Sequence, residues 1–394
     1  MKVAYYSPMP PERSGIADYS ALLVPALRRR LDVDVARRGK SARGDVALYH
    51  VGNDPESHGW IVEALRRRPG VVVLHEHVLH HLVAGLTLAR ADVHGYLNAM
   101  ERDGGLVGRL LAHGVLDNRI PPLWETRPDE FPLNGEVLEL AEALIVHSRF
   151  VEARVRAAGF DRPVFRIAHP AWPVPPIEPA AGVEGELVVG AFGHVNATKR
   201  TPQLLHAVSL VPGARLLLVG ALSERYELDV PPDVQREEYV DEPRLWSLMA
   251  ACDVVVSLRA PTMGETSGTA IRALSLGKPL VVSDLGWFAE LPDEVALKVP
   301  VGEGEVETLA ASLELLRREP ARREAMSRAA RALAESEHAL PRVAEAYAAA
   351  VETAAGGGAV PDAVLREVAQ AAADVGLADT GELAVRLAEV GLGG

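Results

Sequence analysis

Short apolar runs alternate with amphipathic stretches along most of the chain. Several of the runs are near-continuous Val, Leu and Ile, which is typical of parallel strands covered on both faces. The predicted strands are Val3–Tyr6, Val46–Tyr49, Val71–Leu74, Leu144–His147, Val164–Ile167, Leu187–Phe192, Arg215–Val219, Val254–Leu258 and Leu280–Ser283. Because helical segments separate the runs, the pattern is βαβ and predicts an α/β protein with doubly wound parallel sheets.

Two stretches interrupt the alternation. "AHPAWPVPPIEPAAGVEGE", from Ala168 to Glu186, is rich in proline, which blocks both helices and strand ladders. "AAGGGAVP", from Ala354 to Pro361, precedes apolar residues that fall on one helical face. We therefore predict a first doubly wound domain over 1–170, a linker over 171–185 and a second doubly wound domain over 186–338. A helix over 339–354 should return to the first domain, followed by a glycine linker and a small helical tail over 355–394.

Composition and charge exclude several classes of protein. The 394 residues are 48% hydrophobic and 24% charged, which suits two folded domains. A net charge of -13 argues against a nucleic-acid partner. The single cysteine, Cys252, cannot form an internal disulfide, and no apolar run has the length of a membrane span. We expect a cytoplasmic protein whose membrane contact is at most peripheral, at the inner face. The basic stretch Arg28–Arg43 is either a solvated surface or a patch for an anionic membrane or an acidic acceptor.

Two α/β domains in series predict a ligand in the cleft between them, beyond the carboxyl ends of the strands. In the second domain, "FGHVNATKR" follows a predicted strand and brings Lys199 and Arg200 beside a glycine loop. Two cations in that position suit a phosphate ligand. The spacing differs from GxxxxGK[ST], so the loop is not a nucleoside-triphosphate P-loop.

The stretch "GETSGTAIRALSLGKP" contains a second candidate for anion binding. Ser267, Gly268 and Thr269 stand at a predicted helix start, where backbone N–H groups lack partners within the helix and suit a diphosphate. Glu265 can accept hydrogen bonds from sugar hydroxyls, or it can serve as a partner for the helix dipole.

The first domain contributes two further candidates. Ser14-Gly15 precedes a predicted helix, where glycine allows a ligand to approach the backbone closely. In "LHEHVLHHL", His75 is the first residue after a strand and the best candidate for the cleft. His77 and His81 have helical i, i+4 spacing without a clear third ligand, so a metal site is the lesser alternative to structural roles. We expect no metal and no cofactor.

Together these motifs resemble those of the retaining nucleotide-sugar glycosyltransferases of family 4, which have the GT-B fold of two Rossmann-like domains around a cleft. The resemblance spans Met1 to Ala354 and rests on "PPERSGIADYS", "HVGN", "LHEHVLHHL", "VHSRFVEARV", "FGHVNATKR", "PTMGETSGTAIRALSLGKPLVVSD" and "GWFAELPD". It implies metal-independent transfer of a sugar from a nucleotide-diphosphate sugar, with retention at the anomeric carbon. The acceptor stays open among a saccharide, a lipid-linked saccharide and a small molecule.

The resemblance also implies roles for individual residues. Lys199 matches the lysine that grips the donor diphosphate, Gly15 matches the glycine that closes over it, and His75 matches the cleft histidine near the reacting sugar. Glu265 matches the first glutamate of a paired-glutamate motif that contacts the donor sugar. The helix start at Ser267, Gly268 and Thr269 matches the seat of the phosphates.

The sequence departs from the family pattern at two positions. His194 stands where the family commonly has an arginine, so part of the phosphate compensation is expected from Arg200. The second glutamate of the pair is replaced by Arg272 or by Ala273, depending on the direction of counting. Glu290 is then the candidate substitute for binding the ribose. No second carboxylate stands out, which argues against a glycosidase.

Three alternatives to a glycosyltransferase stay open. A sugar phosphorylase and a nucleotide-sugar epimerase would use the same scaffold and the same donor-binding residues. A non-catalytic sugar-nucleotide-binding protein is suggested by the missing second acid and by the C-terminal tail.

Overall fold

The computed structural model describes residues 1–12, 14–223 and 226–357. The predicted helical tail therefore lies outside the described residues, apart from its first positions. The described part contains two six-stranded sheets, in which every neighbouring pair of strands is parallel. Helices cover both sheets, so the prediction of an α/β fold with two doubly wound domains and a cleft is confirmed.

The first sheet has the order β2-β1-β3-β4-β5-β6. Its strands are β1 (Lys2–Tyr6), β2 (Asp32–Val35), β3 (Val46–Val51), β4 (Gly70–Leu74), β5 (Ala141–Val146) and β6 (Val164–Arg166). The helices of this half are α1 (Gly15–Leu27), α2 (Pro55–Arg67), α3 (His80–Thr87), α4 (Val93–Leu116, kinked at Gly105), α5 (Leu123–Thr126), α6 (Gly135–Leu140) and α7 (Arg149–Ala157). A short 3-10 helix, Leu88–Arg90, joins α3 to α4.

The second sheet has the order β12-β11-β10-β7-β8-β9. Its strands are β7 (Leu187–Phe192), β8 (Ala214–Val219), β9 (Gln235–Glu237), β10 (Val254–Ser257), β11 (Leu280–Ser283) and β12 (Ala296–Val299). The helices are α8 (Thr201–Ser209), α9 (Glu242–Ala251), α10 (Gly268–Ser275), α11 (Glu305–Arg318), α12 (Pro320–Ser336) and α13 (Leu340–Glu352). Two 3-10 helices, Ala197–Lys199 and Gly286–Glu290, and a π-helical turn, Thr353–Gly357, complete the described elements.

The central strands are buried along their whole length, as their apolar sequences predict. Every residue of β3, β4 and β7 is buried, so both faces of each sheet are covered by helices. Three strands were not predicted: β2, β9 and β12. Each lies at the edge of its sheet and contains charged, partly exposed residues, so it lacks the apolar run by which buried strands are recognised.

Helix α13 packs on the first domain, although it follows the second domain in sequence. Val343, Ala344 and Tyr347 are buried in the same apolar cluster as residues of β1, β3 and α1. The hydroxyl oxygens of Tyr347 and Tyr19 lie 2.6 Å apart within this cluster. The chain therefore crosses between the two domains twice.

The order of strands reverses once in each sheet, and these two points define the cleft. In the first sheet the reversal lies between β1 and β3, and in the second sheet it lies between β7 and β10. Loops that leave neighbouring strands on opposite sides of a parallel sheet separate at such a point and leave a crevice at the carboxyl ends. None of the helices in the described part of the chain combines the length and apolar character needed to cross a membrane.

Candidate active site

A cavity of about 380 Å³ lies between the two domains at the carboxyl ends of their strands. Most of its lining comes from the loops after β1, β3, β4 and β5 in the first domain, and after β7 and β10 in the second. The helices α1, α2 and α10 and the connector between the domains supply the rest. Both strand-order reversals therefore open into the same space. Of the residues predicted for the site, the cavity brings together Gly15, His75, Lys199, Glu265, Ser267, Gly268, Thr269 and Arg272.

Lys199 reaches the cavity from the loop after β7. Gly193 in this loop adopts φ 94°, and a Cβ atom there would lie 3.4 Å from the lysine Nζ, so glycine leaves room for the side chain. Burial and the neighbouring Arg259 lower the pKa of Lys199 well below its usual range, while Glu265 opposes this shift. An anionic ligand beside the lysine would favour its charged form.

Glu265 is held in place by hydrogen bonds and by an ion pair. Its Oε2 accepts hydrogen bonds from the Thr262 hydroxyl at 3.0 Å and from the Met263 N–H at 2.7 Å. Its Oε1 lies 2.5 Å from Arg259 Nε, a contact that is an ion pair by distance without the alignment of a hydrogen bond. The two side chains are only 10% and 16% exposed, so each compensates the buried charge of the other.

The start of α10 forms the floor of the cavity on the second-domain side. Ser267 is the N-cap residue, and its hydroxyl accepts a hydrogen bond from the Ala270 N–H at 3.3 Å. The first turn, with Gly268 and Thr269, lines the cavity. Backbone N–H groups at a helix start attract anions. We call Lys199, Arg259 and this first turn of α10 the cationic wall.

Gly15 opens α1 on the opposite side of the cavity. Ser14 caps this helix and accepts a hydrogen bond from the Ala17 N–H at 3.0 Å. A Cβ atom added to Gly15 would meet nothing within 4 Å, so the backbone here faces open space. The backbone at the start of α1 is therefore open to the cavity.

Four buried histidines line the first-domain side of the cavity. His75 was predicted there, and its Nε2 lies 2.9 Å from Nδ1 of His50. The other three were not predicted: His58 from α2, His147 after β5 and His169 in the connector. We call His58, His75, His147 and His169 the histidine wall. Burial lowers the pKa of all four, to about 4 for His58 and His147, so their imidazoles are neutral near pH 7.

Glu76 adds a second carboxyl group to the cavity. Its Oε2 accepts a hydrogen bond from the Asn53 N–H at 2.8 Å. Burial, with the negative charge of Glu265 as a smaller cause, raises the pKa of Glu76 to about 8. The sequence had indicated no second carboxylate, and this was wrong: Glu76 and Glu265 line the same cavity from opposite domains.

Arg272 lies beneath the cavity and joins the two domains. Its guanidinium carbon is 3.8 Å from the ring centre of Trp172, and Nη2 is 3.4 Å from a carboxylate oxygen of Asp18 on α1. A second carboxylate, Glu242, is 3.8 Å away. The residue at the place of the expected second acid therefore contacts side chains of both domains.

Three predicted donor-binding residues lie outside the cavity, which corrects the sequence-based assignment. His194 is exposed and does not line the cavity. Arg200 forms an ion pair with Glu305, which is only 2% exposed, and does not line the cavity. Glu290 accepts hydrogen bonds from the Arg149 and Phe150 N–H groups, at 2.9 and 2.6 Å, and so caps α7 of the first domain.

His77 and His81 do not form a metal site, despite their i, i+4 spacing. His77 precedes α3, which begins at His80, so the two residues do not share a helical face. Asn134 Nδ2 donates to the His77 backbone oxygen at 2.7 Å and lies 3.1 Å from His77 Nδ1. Within residues 1–12, 14–223 and 226–357, no group of three or more His, Cys, Asp or Glu is arranged to hold a metal ion.

Arg259 is the cation of the site that sequence reasoning missed. It lies two residues after β10, at the carboxyl end of a strand, where cleft residues are expected. However, a single arginine after a strand matches no known motif. The histidines His58, His147 and His169 are separated by at least one strand and helix in sequence, so only the fold shows that they meet.

Residues 186–318 match the family described as Glycosyl transferases group 1. No curated protein matches the sequence. Among solved structures, sucrose-phosphate synthase from Thermosynechococcus elongatus is similar with a TM-score of 0.61 and 18% identity, over 88% of this chain and 96% of that one. HepE from Anabaena, in complex with UDP and glucose, has a TM-score of 0.55 and 17% identity, over 90% and 100% of the two chains.

A third similar structure is WaaG, described as a glycosyltransferase involved in lipopolysaccharide biosynthesis. Its TM-score is 0.55 at 12% identity, over 89% of this chain and 99% of that one. At these identities the likeness establishes the fold alone. The family match in the second domain, together with the GT-B fold, confirms the prediction of a glycosyltransferase.

Proposed function

We propose that the protein is a retaining glycosyltransferase of family 4, which transfers a sugar from a nucleoside-diphosphate sugar to an acceptor without a metal ion. One observation carries the proposal. A single cavity at the strand-order reversals of both domains holds Lys199, Arg259 and the start of α10 next to the fixed carboxylate of Glu265.

The cationic wall suits the charge that develops in this reaction. Cleavage of the anomeric C–O bond leaves negative charge on the departing diphosphate. Lys199, Arg259 and the N–H groups of the first turn of α10 are placed to stabilise that charge. These groups would supply the compensation that a divalent cation supplies in metal-dependent enzymes, which supports metal-independent transfer.

The setting of Glu265 supports front-face attack as the route to retention. A covalent route would need a free carboxylate to attack the anomeric carbon. Both oxygens of Glu265 already have partners, in Thr262 and Met263 on one side and Arg259 on the other. A carboxylate engaged in this way is a weak nucleophile. We therefore assign Glu265 to binding the donor sugar.

The donor class draws support from one similar structure. HepE was solved in complex with UDP and glucose, which makes a uridine nucleotide the first donor to test. Other bases stay in the screen, because the described lining residues of the cavity supply no base-specific pair.

A ligand screen followed by a transfer assay tests the proposal. UDP, GDP, ADP and their sugars are compared by thermal shift, since a ligand at 100 times its Kd stabilises by about 2.7 kcal/mol. The donor that binds is then incubated with acceptors, with and without a chelator, and the anomeric configuration of the product is read by NMR. We expect retention and no effect of the chelator.

Two further arms separate the alternatives. Inorganic phosphate as the acceptor would reveal a phosphorylase, and conversion of the donor sugar without any acceptor would reveal an epimerase. Tight nucleotide binding without turnover in any arm would favour a non-catalytic binding protein. An inverted product would contradict the retaining mechanism.

A further inference from the structure

The histidine wall presents hydrogen-bond acceptors to the cavity, and the backbone determines this. In each of three rings, Nδ1 lies within hydrogen-bond distance of a backbone carbonyl oxygen. The distance is 3.1 Å from His58 Nδ1 to the oxygen of His50, 2.8 Å from His147 Nδ1 to that of Ile167, and 2.9 Å from His169 Nδ1 to that of Pro170. A carbonyl oxygen can only accept, so Nδ1 of each neutral ring carries the proton. The remaining nitrogen, Nε2, is therefore an acceptor in all three rings.

These three Nε2 atoms have no partner among the described residues. Nε2 of His147 is fully buried and lacks a hydrogen bond. The contacts of His58 and His169 use Nδ1 only, and both rings line the cavity. A buried acceptor without a partner is costly, so a ligand that donates hydrogen bonds here would satisfy it.

Three rings of the histidine wall, those of His75, His147 and His169, belong to one cluster around Tyr19. The ring centres of His75, His147 and His169 lie 4.9, 5.6 and 4.8 Å from that of Tyr19. The Tyr19 hydroxyl is already occupied by Tyr347. Packing of this kind fixes the directions of these imidazoles, so the acceptor atoms of His147 and His169 form a rigid pair.

The two sides of the cavity also differ in the charged side chains that they contribute. Among its described lining residues, the first domain contributes the carboxyl groups of Asp54 and Glu76 and contributes no lysine or arginine. Lys199, Arg259 and Arg272 all come from the second domain. A phosphate group placed against the first-domain side would meet the imidazole lone pairs and the Asp54 carboxyl group, which repel it, and no lysine or arginine of that domain among the described lining residues.

From these observations we propose that the acceptor is an uncharged, hydroxyl-rich molecule, a saccharide or a polyol. Its hydroxyl groups donate to Nε2 of His58, His147 and His169, and phosphorylated acceptors are rejected. The inference rests on the proposed glycosyl transfer and names the acceptor class of that site. In the transfer step, the acceptor O–H bond breaks and its oxygen bonds to the anomeric carbon. The sugar–phosphate bond breaks with its electron pair on the diphosphate, which takes up the proton.

Matched acceptor pairs test the proposal. With the donor found above, transfer to glucose, fructose and myo-inositol is compared with transfer to the phosphate ester of each. We expect kcat/KM for the uncharged member to exceed that for its ester by at least about tenfold in each pair that is used. A phosphate ester that is preferred to its uncharged partner would overturn the proposal, and so would transfer to no uncharged member of any pair.

A substitution tests the assignment of the wall itself. In His147→Asn the amide can still donate to the Ile167 carbonyl but the Nε2 acceptor is lost; His58→Asn is the second variant, and His81→Asn, at an exposed histidine, is the control. We expect KM for the acceptor to rise about tenfold in both variants, with KM for the donor unchanged. A rise in KM for the donor alone would assign the wall to the donor sugar and overturn the proposal. Absence of donor turnover in the parent protein would instead refute glycosyl transfer, and this inference with it.

Discussion

The histidine wall and the cationic wall face each other across one cavity, and burial acts on both. It lowers the pKa of the histidines on one side and that of Lys199 on the other, so all of these groups tend toward neutrality. The two walls differ in what they present to a ligand. The histidine wall presents lone pairs, whereas the cationic wall presents N–H groups and the Arg259 cation. The comparison teaches that a ligand with one anionic end and one hydroxyl-rich end has a single favourable orientation in this cleft.

The largest expected effect concerns acid sensitivity of the histidine wall. The pKa of His58 and of His147 is about 4 in the folded protein and about 6.5 when unfolded, so the unfolded chain binds more protons between these values. Stability conferred by the two neutral rings is complete above pH 6.5 and is lost as the pH falls toward 4. The loss is on the order of 3 kcal/mol for each ring.

Urea unfolding at several pH values measures this effect. The double variant His58→Asn with His147→Asn should lose less stability than the parent between pH 6.5 and 4, while His81→Asn should behave like the parent. Equal acid sensitivity of the parent and the double variant would contradict neutral, buried imidazoles.

Glu76 should produce the opposite dependence on pH. Its pKa is about 8 in the folded protein against about 4.5 unfolded, so the folded state binds the additional proton in this window and stability falls as the pH rises. Glu76→Gln should therefore gain stability relative to the parent from pH 4.5 to 8, by on the order of 5 kcal/mol. Glu56→Gln, at an exposed glutamate two residues into α2, is the control. A constant difference across this range would show that Glu76 is ionised throughout.

The cationic wall is tested by removing the Lys199 ammonium. Lys199→Ala should lower kcat by about a hundredfold or more, because one such group typically contributes about 3–4 kcal/mol in the transition state. Lys298→Ala is a matched control in the same domain, where the lysine pairs with Asp293. Steady-state kinetics and circular dichroism of both variants check activity and fold. Full activity of Lys199→Ala would remove the basis of the proposed function.

Arg259 and Arg200 form a second matched comparison. Arg259→Ala should reduce kcat/KM for the donor about thirtyfold, since the arginine lines the cavity and neutralises Glu265. Arg200→Ala should leave the donor kinetics unchanged and lower stability, because it strips the buried Glu305 of its partner. The reverse result would restore the sequence-based assignment of Arg200 to the phosphates.

The smallest effect is expected for Glu290. Glu290→Gln should lower the free energy of unfolding by about 1 kcal/mol, because the carboxylate caps the start of α7. KM for the donor should not change. A higher KM for the donor would show instead that Glu290 contacts the ribose, as the sequence had suggested.

The sequence predicts the fold well where burial dictates the residue type. Val71 to Leu74 and Leu187 to Phe192 are near-continuous apolar runs of strand length, and both form fully buried strands. The edge strands were missed, since Asp32–Val35 and Gln235–Glu237 carry polar residues that a coil would also carry. These segments form strands because they pair with a neighbouring strand, and that strand is distant in sequence from the local pattern.

The site was predictable where chemistry is local. Lys199 after a glycine loop and Ser267 at a helix start can each be recognised from a few neighbouring residues. Glu290 does not, because the backbone groups that it caps lie some 140 positions earlier, on the other domain. Backbone carbonyl oxygens likewise determine which ring nitrogen of each histidine is the acceptor. The amino-acid sequence does not show where these oxygens lie in the fold.

Helix α13 has a consequence for how the protein is made. Synthesis proceeds from the N-terminus, yet the apolar cluster of the first domain contains Val343, Ala344 and Tyr347 from near the end of the described chain. While the ribosome is still translating the second domain, α1 and β1 have emerged without the helix that covers them. The first domain is therefore completed only after the second domain has been translated, and its exposed apolar surface must stay unaggregated until α13 arrives.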